Sequence, residues 1–376
     1  MASTPLPSSL TWVHFGDLHM TEGGEQNHRD LLSLIDEVNT HLGGAVDFCF
    51  LPGDNANNGI GSQYQLVKSA IDRLKQPVHV IPGDHDREPG SLDAFYSTLA
   101  VDILPKAVSI KGYRCLVLDV VSAGTGGPDF RLSGTDLDWL EEEFSRAAAA
   151  GERSLVFMHT YPADLKSGRS RLLDLFRRHQ VLAVDMGHTH YNELANDGRT
   201  IYAATRSTGQ AEEGAVGVSV MNVEGDVVSW RFKPLASSWP LVMVTSPADF
   251  RLATAVTRFR DTDLSQFRVS ARAWSATGIK ACRCRLDEGE WRSMESAQDR
   301  ARWAMVCSVG NVPQVLTVEA EDRAGNIGSD SIELRPLGDY LRSPADDGSD
   351  ANGVGPWPSK HILGTQLGPN RNGRQW

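Results

Sequence analysis

The chain contains few cysteines and no long apolar run. Five cysteines are scattered over 376 residues, and this odd number argues against a disulfide framework and for reduced thiols. No apolar stretch approaches the length of a transmembrane helix. The first residues, MASTPLPSSLTWVHFGD, lack the basic and apolar regions of a signal peptide. We therefore expect a cytoplasmic protein without a transmembrane segment.

Basic residues are also scarce. The chain has 37 Lys and Arg residues against 48 Asp and Glu residues, which gives a formal net charge of −11. Proteins that bind nucleic acid usually neutralise several phosphates with a basic face, so the charge disfavours a nucleic-acid partner. An anionic ligand would need positive charge from a bound metal ion. The composition thus favours a small anionic substrate over a polyanion.

The pattern of apolar residues predicts an α/β domain followed by an all-β domain. Between residues 10 and 235, strand-like apolar runs alternate with amphipathic helical stretches, which is typical of a layered α/β fold. One helix begins after a cap at Ser133 or Thr135, and a hairpin turns around Gly225. We place the first domain at residues 1–238.

Residues 239–336 contain short alternating runs separated by turn sequences. This pattern predicts a small β-sandwich, and its last hairpin resembles those of immunoglobulin-like or fibronectin-like modules. Residues 337–376 are rich in Gly, Pro, Asp and Asn, which predicts an extended C-terminal tail. The tail also carries apolar residues such as Trp357 and Ile362. We expect it to fold across the first domain or to clasp a second subunit, so a homo-oligomer through the sandwich or the tail is one hypothesis.

Acidic and imidazole residues follow five of the apolar runs in the first domain. In open α/β sheets, function concentrates at the carboxyl ends of the strands. Taken singly, each fragment is as typical of a structural turn or a core histidine as of a metal ligand. Together they favour one shared site. The candidate residues are Asp17, His19, Asp54, Asp84, His85, Asp86, His159, His188 and His190.

The chemistry of this set indicates which metals it suits. Carboxylates and imidazoles without thiolates favour Mn, Fe or Zn in a hydrolytic site over a structural zinc site or a calcium cage. More than four ligands imply two ions, divalent or of mixed valence. A bridging carboxylate would hold them about 3.5–4 Å apart, which is the spacing of two-metal phosphoester hydrolysis.

The series D-x-H, G-D-x, G-D-H-D, H-T-Y-P and G-H-x-H resembles the calcineurin-like metallophosphoesterase family over residues 10–235. The resemblance implies a four-layer αββα sandwich. It also implies a first metal ion held by Asp17, His19, Asp54 and His190, and a second ion held by Asp54, Asp84, His159 and His188, with Asp54 as the bridge.

The same resemblance implies roles for two further residues. His85 would face the substrate, and Asp86 would orient His85. The sequence departs from the usual family pattern at Asp84, where Asn is most common. A carboxylate there either strengthens cation binding at the second ion or is simply an equivalent oxygen ligand, and it leaves the metal identity open.

The expected activity is dimetal-dependent hydrolysis of a phosphoester. A hydroxide between the two ions would attack phosphorus, with assistance from His85. A phosphodiester of a small molecule, such as a cyclic nucleotide, a nucleotide or a lipid head group, is the favoured substrate. The alternatives are a phosphomonoesterase and a catalytically weak, metal-stabilised scaffold that binds a protein partner.

Two other groups are interpreted as structural. His14 precedes the end of its strand, so we expect a core histidine and not a ligand. Cys282 and Cys284 lie two residues apart and can face one side of a strand together, but even with Cys307 they have no fourth ligand. We predict that these thiols act as small core hydrophobes.

Overall fold

The computed structural model describes residues 6–258, 266–297, 299, 301–308, 315–335 and 352–364. The strands of the first domain are β1 (Ser9–Phe15), β2 (Phe48–Leu51), β3 (Val78–Val80), β4 (Lys106–Ile110), β5 (Tyr113–Val117), β6 (Arg153–Phe157), β7 (Ala183–Met186), β8 (Glu193–Asn196), β9 (Ile201–Ala204), β10 (Gly217–Glu224) and β11 (Val227–Pro234). The helices are α1 (Gln26–Glu37), α2 (Gly61–Ile71), α3 (Asp93–Leu99), α4 (Gly134–Ala150) and α5 (Arg169–His179).

These strands form two sheets that pack face to face. One has five strands in the order β11-β10-β1-β2-β3, and the other has six in the order β4-β5-β6-β7-β9-β8. Strands β1, β2 and β3 are mutually parallel, as are β5, β6, β7 and β9. Alternate residues of β1 divide between two cores. Trp12 packs between the sheets, whereas Val13 packs against the helical layer. The predicted αββα sandwich is confirmed.

A buried polar contact joins the two sheets. Nδ1 of His14 on β1 lies 2.6 Å from Oδ1 of Asp185 on β7, and the indole N–H of Trp12 donates to the other carboxylate oxygen at 2.7 Å. All three side chains are fully buried or nearly so. His14 is therefore a core histidine, as predicted.

Local sequence signals account for several of the element boundaries. Ser133 accepts a hydrogen bond from the backbone N–H of Asp136, and the Asp136 carboxylate accepts from the backbone N–H of Ser133, so a capping box begins α4. Gly225 adopts a φ of 60° in the turn between β10 and β11. Helix α1 ends at Glu37, and residues Val38–Leu42 continue it as a π-helical turn.

The second domain consists of β12 (Leu241–Ser246), β13 (Phe267–Trp274), β14 (Ile279–Leu286), β15 (Arg292–Ser293), β16 (Glu295–Ser296), β17 (Arg302–Cys307), β18 (Val315–Asp322) and β19 (Ile327–Glu333). They form sheets in the orders β12-β13-β17-β16 and β15-β14-β18-β19. Apolar residues of both sheets share one core. This confirms a small all-β sandwich, whereas its kinship with immunoglobulin or fibronectin modules stays a prediction.

The sandwich docks on the first domain through buried ion pairs. Arg302 on β17 lies 2.6 Å from Glu224 on β10. Arg272 on β13 donates to the Asn222 side chain at 3.0 Å and to the Ser9 hydroxyl at 3.1 Å. Because these charged groups are buried and paired, the two domains make a specific contact.

The predicted tail, residues 337–376, is described only from Asn352 to Gly364, and the remainder lies outside the described residues. The described part contains a short 3-10 turn, Pro358–Lys360. It lies against both domains. Among the described residues, no helix is long and apolar enough to cross a lipid bilayer.

Candidate metal centre

Five loops bring the predicted ligands to one edge of the sandwich. The loops after β1, β2 and β3 come from the five-stranded sheet, and those after β6 and β7 come from the six-stranded sheet. All of the predicted ligand residues are buried, and none of these residues is more than 7% exposed. They are Asp17, His19, Asp54, Asp84, His159, His188 and His190.

The ligand atoms form two groups that share one carboxylate. In each group all ligand atoms lie within 4.8 Å of one another, and Asp54 belongs to both. The first group is Asp17, His19, Asp54 and His190, and the second is Asp54, Asp84, His159 and His188. The structure thus brings together the residues that the motif resemblance assigned to each ion.

In the first group, two imidazoles face each other. Nε2 of His19 lies 2.9 Å from Nε2 of His190 and 3.7 Å from Oδ2 of Asp54. Burial lowers the pKa of His19 to about 4 and that of His190 to about 3. Both imidazoles are therefore neutral at neutral pH, which is the form that binds a metal ion.

The second group is held by contacts between carboxylates and imidazoles. Oδ1 of Asp84 lies 3.2 Å from Nε2 of His159 and 3.2 Å from Nδ1 of His188. Burial alone would raise the pKa of Asp84, but the hydrogen bonds from these two imidazoles hold it below its ordinary value. Asp84 therefore presents an ionised oxygen at the position of a ligand.

Several ligand residues have unusual backbone conformations. His19, Asp54, His188 and His190 have φ values of 39°, 49°, 67° and 65°. The left-handed region costs roughly 1–3 kcal/mol for a residue that is not glycine, and such strain clusters at functional sites. Four strained residues around one cluster indicate that the surrounding fold is organised to aim these side chains.

Two glycines allow the loops to approach the carboxylates closely. A Cβ atom at Gly83 would overlap Oδ1 of Asp54, and one at Gly187 would overlap Oδ1 of Asp17. Each of these glycines directly precedes a predicted ligand in its own loop: Gly83 precedes Asp84, and Gly187 precedes His188. The glycines of the G-D and G-H motifs are thus required by the close packing of neighbouring loops.

His85 lies at the rim of the two groups, with its side chain 30% exposed. Its backbone N–H donates to Oδ1 of Asp54 at 2.9 Å, and its Nδ1 lies 2.8 Å from the carbonyl oxygen of Asn57 and 3.3 Å from Oε1 of Glu88. Burial works against protonation, but Asp54 and the Asn57 carbonyl outweigh it and raise the pKa of His85. Since Nδ1 is engaged by these oxygens, Nε2 is the ring nitrogen left for a substrate.

The structure does not support the predicted contact between Asp86 and His85. The Asp86 carboxylate accepts hydrogen bonds from the backbone N–H groups of Asn55, Ala56 and Gly83, and from the Tyr64 hydroxyl. It is completely buried, and it ties the loop after β3 to the loop after β2. The orienting partners of His85 are instead Asn57 and Glu88, because they face its Nδ1. Asp86 is a positioning residue for the loops.

Sequence reasoning missed a carboxylate behind the first group. Oε1 of Glu212 lies 3.8 Å from Nδ1 of His190, and Oε2 of Glu212 accepts a hydrogen bond from the Tyr191 hydroxyl at 2.7 Å. Glu212 lies in a loop between β9 and β10 that follows no motif. Nothing in the local pattern distinguishes it from a solvated acidic residue.

The calcineurin-like phosphoesterase family matches residues 10–192, which contain all of the predicted ligands. The match spans just under half of the chain. This match supports the predicted metal-dependent phosphoester hydrolase.

Two curated relatives and one solved structure resemble the domain. A protein of Arcobacter nitrofigilis named "Probable glycerophosphodiester phosphodiesterase GpdQ" is 28% identical over 201 residues, or 47% of this chain and 71% of the relative. The Escherichia coli 3',5'-cyclic adenosine monophosphate phosphodiesterase CpdA is 26% identical over 155 residues, or 41% of this chain and 54% of the relative. A dimetal phosphatase from Danio rerio aligns with 61% of this chain and 98% of its own at 15% identity, with a TM-score of 0.51. That similarity supports the fold.

Proposed function

We propose that the protein hydrolyses a small phosphodiester with two metal ions bound in the groups that share Asp54. The observation that carries this proposal is the convergence of two four-residue ligand groups on one carboxylate, with His85 at their rim. A structural metal site needs no half-exposed histidine beside it. This arrangement therefore favours catalysis over a scaffold.

The residues present fit a pair of cations. Both groups consist of carboxylates and neutral or paired imidazoles, which suit Mn, Fe or Zn. Oδ1 of Asp17 and Nδ1 of His19 are buried and accept or donate no hydrogen bond among the described residues. A buried polar atom without a partner costs about 1–3 kcal/mol, so coordination of Asp17 would offset that cost. When bound, two such ions neutralise phosphate charge and lower the pKa of a coordinated water.

The protein's own residues orient the ligands and the substrate. The Nδ1–H of His159 donates to the Pro52 carbonyl oxygen at 2.7 Å, which leaves Nε2, facing Asp54 and Asp84, as the ring nitrogen that would bind an ion. His85 would bind the substrate phosphate through Nε2 or deliver a proton to the leaving oxygen. A protonated imidazole suits both tasks, and the raised pKa of His85 favours that form.

The substrate class is argued from charge and from the relatives. An overall charge of −11 disfavours a polyanion such as nucleic acid. The names of the two relatives specify a glycerophosphodiester and a cyclic nucleotide, both of which are small diesters. We therefore place a small diester ahead of a monoester for this chain.

Hydrolysis of model substrates tests the proposal. Purified protein with Mn²⁺ should hydrolyse bis(p-nitrophenyl) phosphate faster than p-nitrophenyl phosphate, and a chelator should abolish both reactions. Glycerophosphocholine and 3',5'-cyclic AMP would then separate the two kinds of diester. Preference for the monoester would support a phosphomonoesterase. Full metal occupancy without hydrolysis would support the scaffold.

A further inference from the structure

The C-terminal segment, residues 352–364, is built into the first domain. The Val354 N–H donates to the Leu194 carbonyl oxygen on β8 at 2.9 Å, which adds backbone contacts at the edge of the six-stranded sheet. Trp357 and Ile362 pair through two backbone hydrogen bonds of 2.9 and 3.2 Å, and both side chains are buried in the core between the sheets. The segment is therefore a folded part of the domain.

The carbonyl oxygen of His361 connects the C-terminal segment to residues near the metal centre. It accepts a hydrogen bond from Nη2 of Arg206 at 2.8 Å and another from Nδ2 of Asn192 at 3.0 Å. Arg206 is 2% exposed, and its guanidinium also contacts the Ala215 carbonyl oxygen, the Glu213 carboxylate and the face of the Phe232 ring. The C-terminal segment thus closes a buried polar cluster around Arg206.

Arg206 lies in the loop after β9, directly before the residues that hold the backbone of the first ligand. The Thr208 N–H, the Gly209 N–H and the Ser207 hydroxyl all donate to the Asp17 carbonyl oxygen, at 2.9, 3.1 and 2.8 Å. The Ser207 N–H also donates to the carbonyl oxygen of His190 at 3.3 Å. Two ligands of the first group are therefore held by the residues that directly follow Arg206.

A second anchor fixes the C-terminal segment to the sandwich. The buried Lys360 ammonium donates to Oδ1 of Asp330 on β19, and Arg231 on β11 lies 3.3 Å from the same oxygen. Nη1 of Arg231 also donates to the Ser359 carbonyl oxygen at 2.7 Å. Because the segment forms hydrogen bonds with both domains, a shift of the sandwich would also move the segment's contact with the loop after β9.

We propose that Arg206 is a positioning residue for the first metal ion and that the C-terminal segment acts through it. This inference rests on the proposed dimetal site. By fixing Arg206, the His361 carbonyl keeps residues 207–209 against Asp17 and His190. The second group has no such link in the described contacts of residues 206–209, so the effect falls on one ion of the two.

The test is a metal titration of the full chain and of three variants. Arg206→Gln removes the guanidinium, and a chain ending at residue 351 removes the segment. Ser359→Ala is the matched control, since Ser359 is exposed and its hydrogen bond with Arg231 uses the backbone oxygen, which the substitution keeps. Calorimetry with Mn²⁺ on metal-free protein, with metal content by mass spectrometry, gives both affinities without reference to turnover.

We expect Arg206→Gln and the truncation each to lower the affinity for the first ion by about 10–100-fold. This range is typical when a residue that orients a metal ligand is lost. The second ion and the control should be unchanged. The truncation should add little in the Arg206→Gln background, because both changes act through one residue. A general loss of stability would instead lower the affinity for both ions, and the effects of Arg206→Gln and of the truncation would add in the combined variant.

Unchanged affinities, equal weakening of both ions or additive effects would each overturn the inference. If the truncated chain fails to fold, Arg206→Gln and Arg206→Lys in the full chain decide, with Lys expected to restore part of the affinity. A wild-type chain that binds fewer than two ions would contradict the proposed function instead. The two failures are therefore distinguishable.

Discussion

Asp54 in the first domain and Asp322 in the sandwich both lie at strand ends, but their carboxylates have different surroundings. The Asp322 carboxylate is saturated by its own turn, since it accepts from the backbone N–H groups of Ala324 and Asn326 at 2.9 Å each and from the Ser275 hydroxyl at 2.8 Å. The Asp54 carboxylate accepts one backbone N–H, from His85, and its other oxygen faces imidazoles. A carboxylate is available for a cation only where its local turn leaves its oxygens free.

The largest effect is expected when the two aspartates are compared directly. Asp54→Ala removes the carboxylate common to both groups, so bound metal and diesterase activity should both be lost. Asp322→Ala should keep two ions and full activity, and should lower the free energy of unfolding by about 1–3 kcal/mol through unpaired turn donors. Metal analysis and denaturant unfolding measure the two outcomes. Two ions retained in Asp54→Ala would break the comparison.

His85→Ala separates substrate chemistry from metal binding. Turnover should fall by about 10²–10⁴-fold, which is the typical contribution of a positioned acid or base. Both ions should remain, because the imidazole of His85 belongs to neither ligand group. Glu88→Gln, which alters one partner of Nδ1, should give a smaller loss. Steady-state kinetics with a parallel metal assay checks this, and an active His85→Ala protein would remove the proposed role.

Asp86 resembles Asp322 in being saturated, so its loss should act on stability. Asp86→Ala leaves three buried backbone N–H groups and a tyrosine hydroxyl without their acceptor, which should cost at least about 3 kcal/mol of unfolding free energy. Asp138→Ala, at an exposed aspartate paired with Arg171, should cost less than about 1 kcal/mol. Equal losses in urea melts of the two variants would contradict the assigned role of Asp86.

The smallest effect is expected from the thiols of the sandwich. Cys284 is buried, and its sulfur contacts the Met305 sulfur at 3.1 Å within the core. Cys284→Ala should cost about 1 kcal/mol of stability and leave two ions per chain. Loss of metal in this variant would show that the sandwich also has a binding role and would weaken the contrast between the domains.

Much of the fold and site could be predicted from the sequence because the signals were local. Apolar runs followed by G-D or G-H motifs identified the strand ends, and parallel strands necessarily bring those ends to one edge. The alternation in β18 and β19 similarly predicted the sandwich. Those features depend on a few neighbouring residues each.

Contacts between distant segments could not be predicted in this way. The hydrogen-bond donors that bind the Asp86 carboxylate come from three separate segments. Nothing in the sequence of these segments indicates that Asp86 binds them and does not contact His85. The contact of His361 with Arg206 uses a backbone oxygen, which every residue has, so no side-chain pattern reports it. The oligomeric state, the cytoplasmic location and the domain boundaries stay predictions.

The hydrogen bonds to the His361 carbonyl also set an order of events during synthesis. Domains emerge from the ribosome amino-terminal part first and can begin to fold before the chain is finished. Arg206 and Asn192 emerge early, but their acceptor, His361, follows Arg206 by 155 residues along the chain. A nascent chain can therefore hold every ligand side chain while lacking this contact, and the loop over Asp17 gains that support only once His361 has been translated.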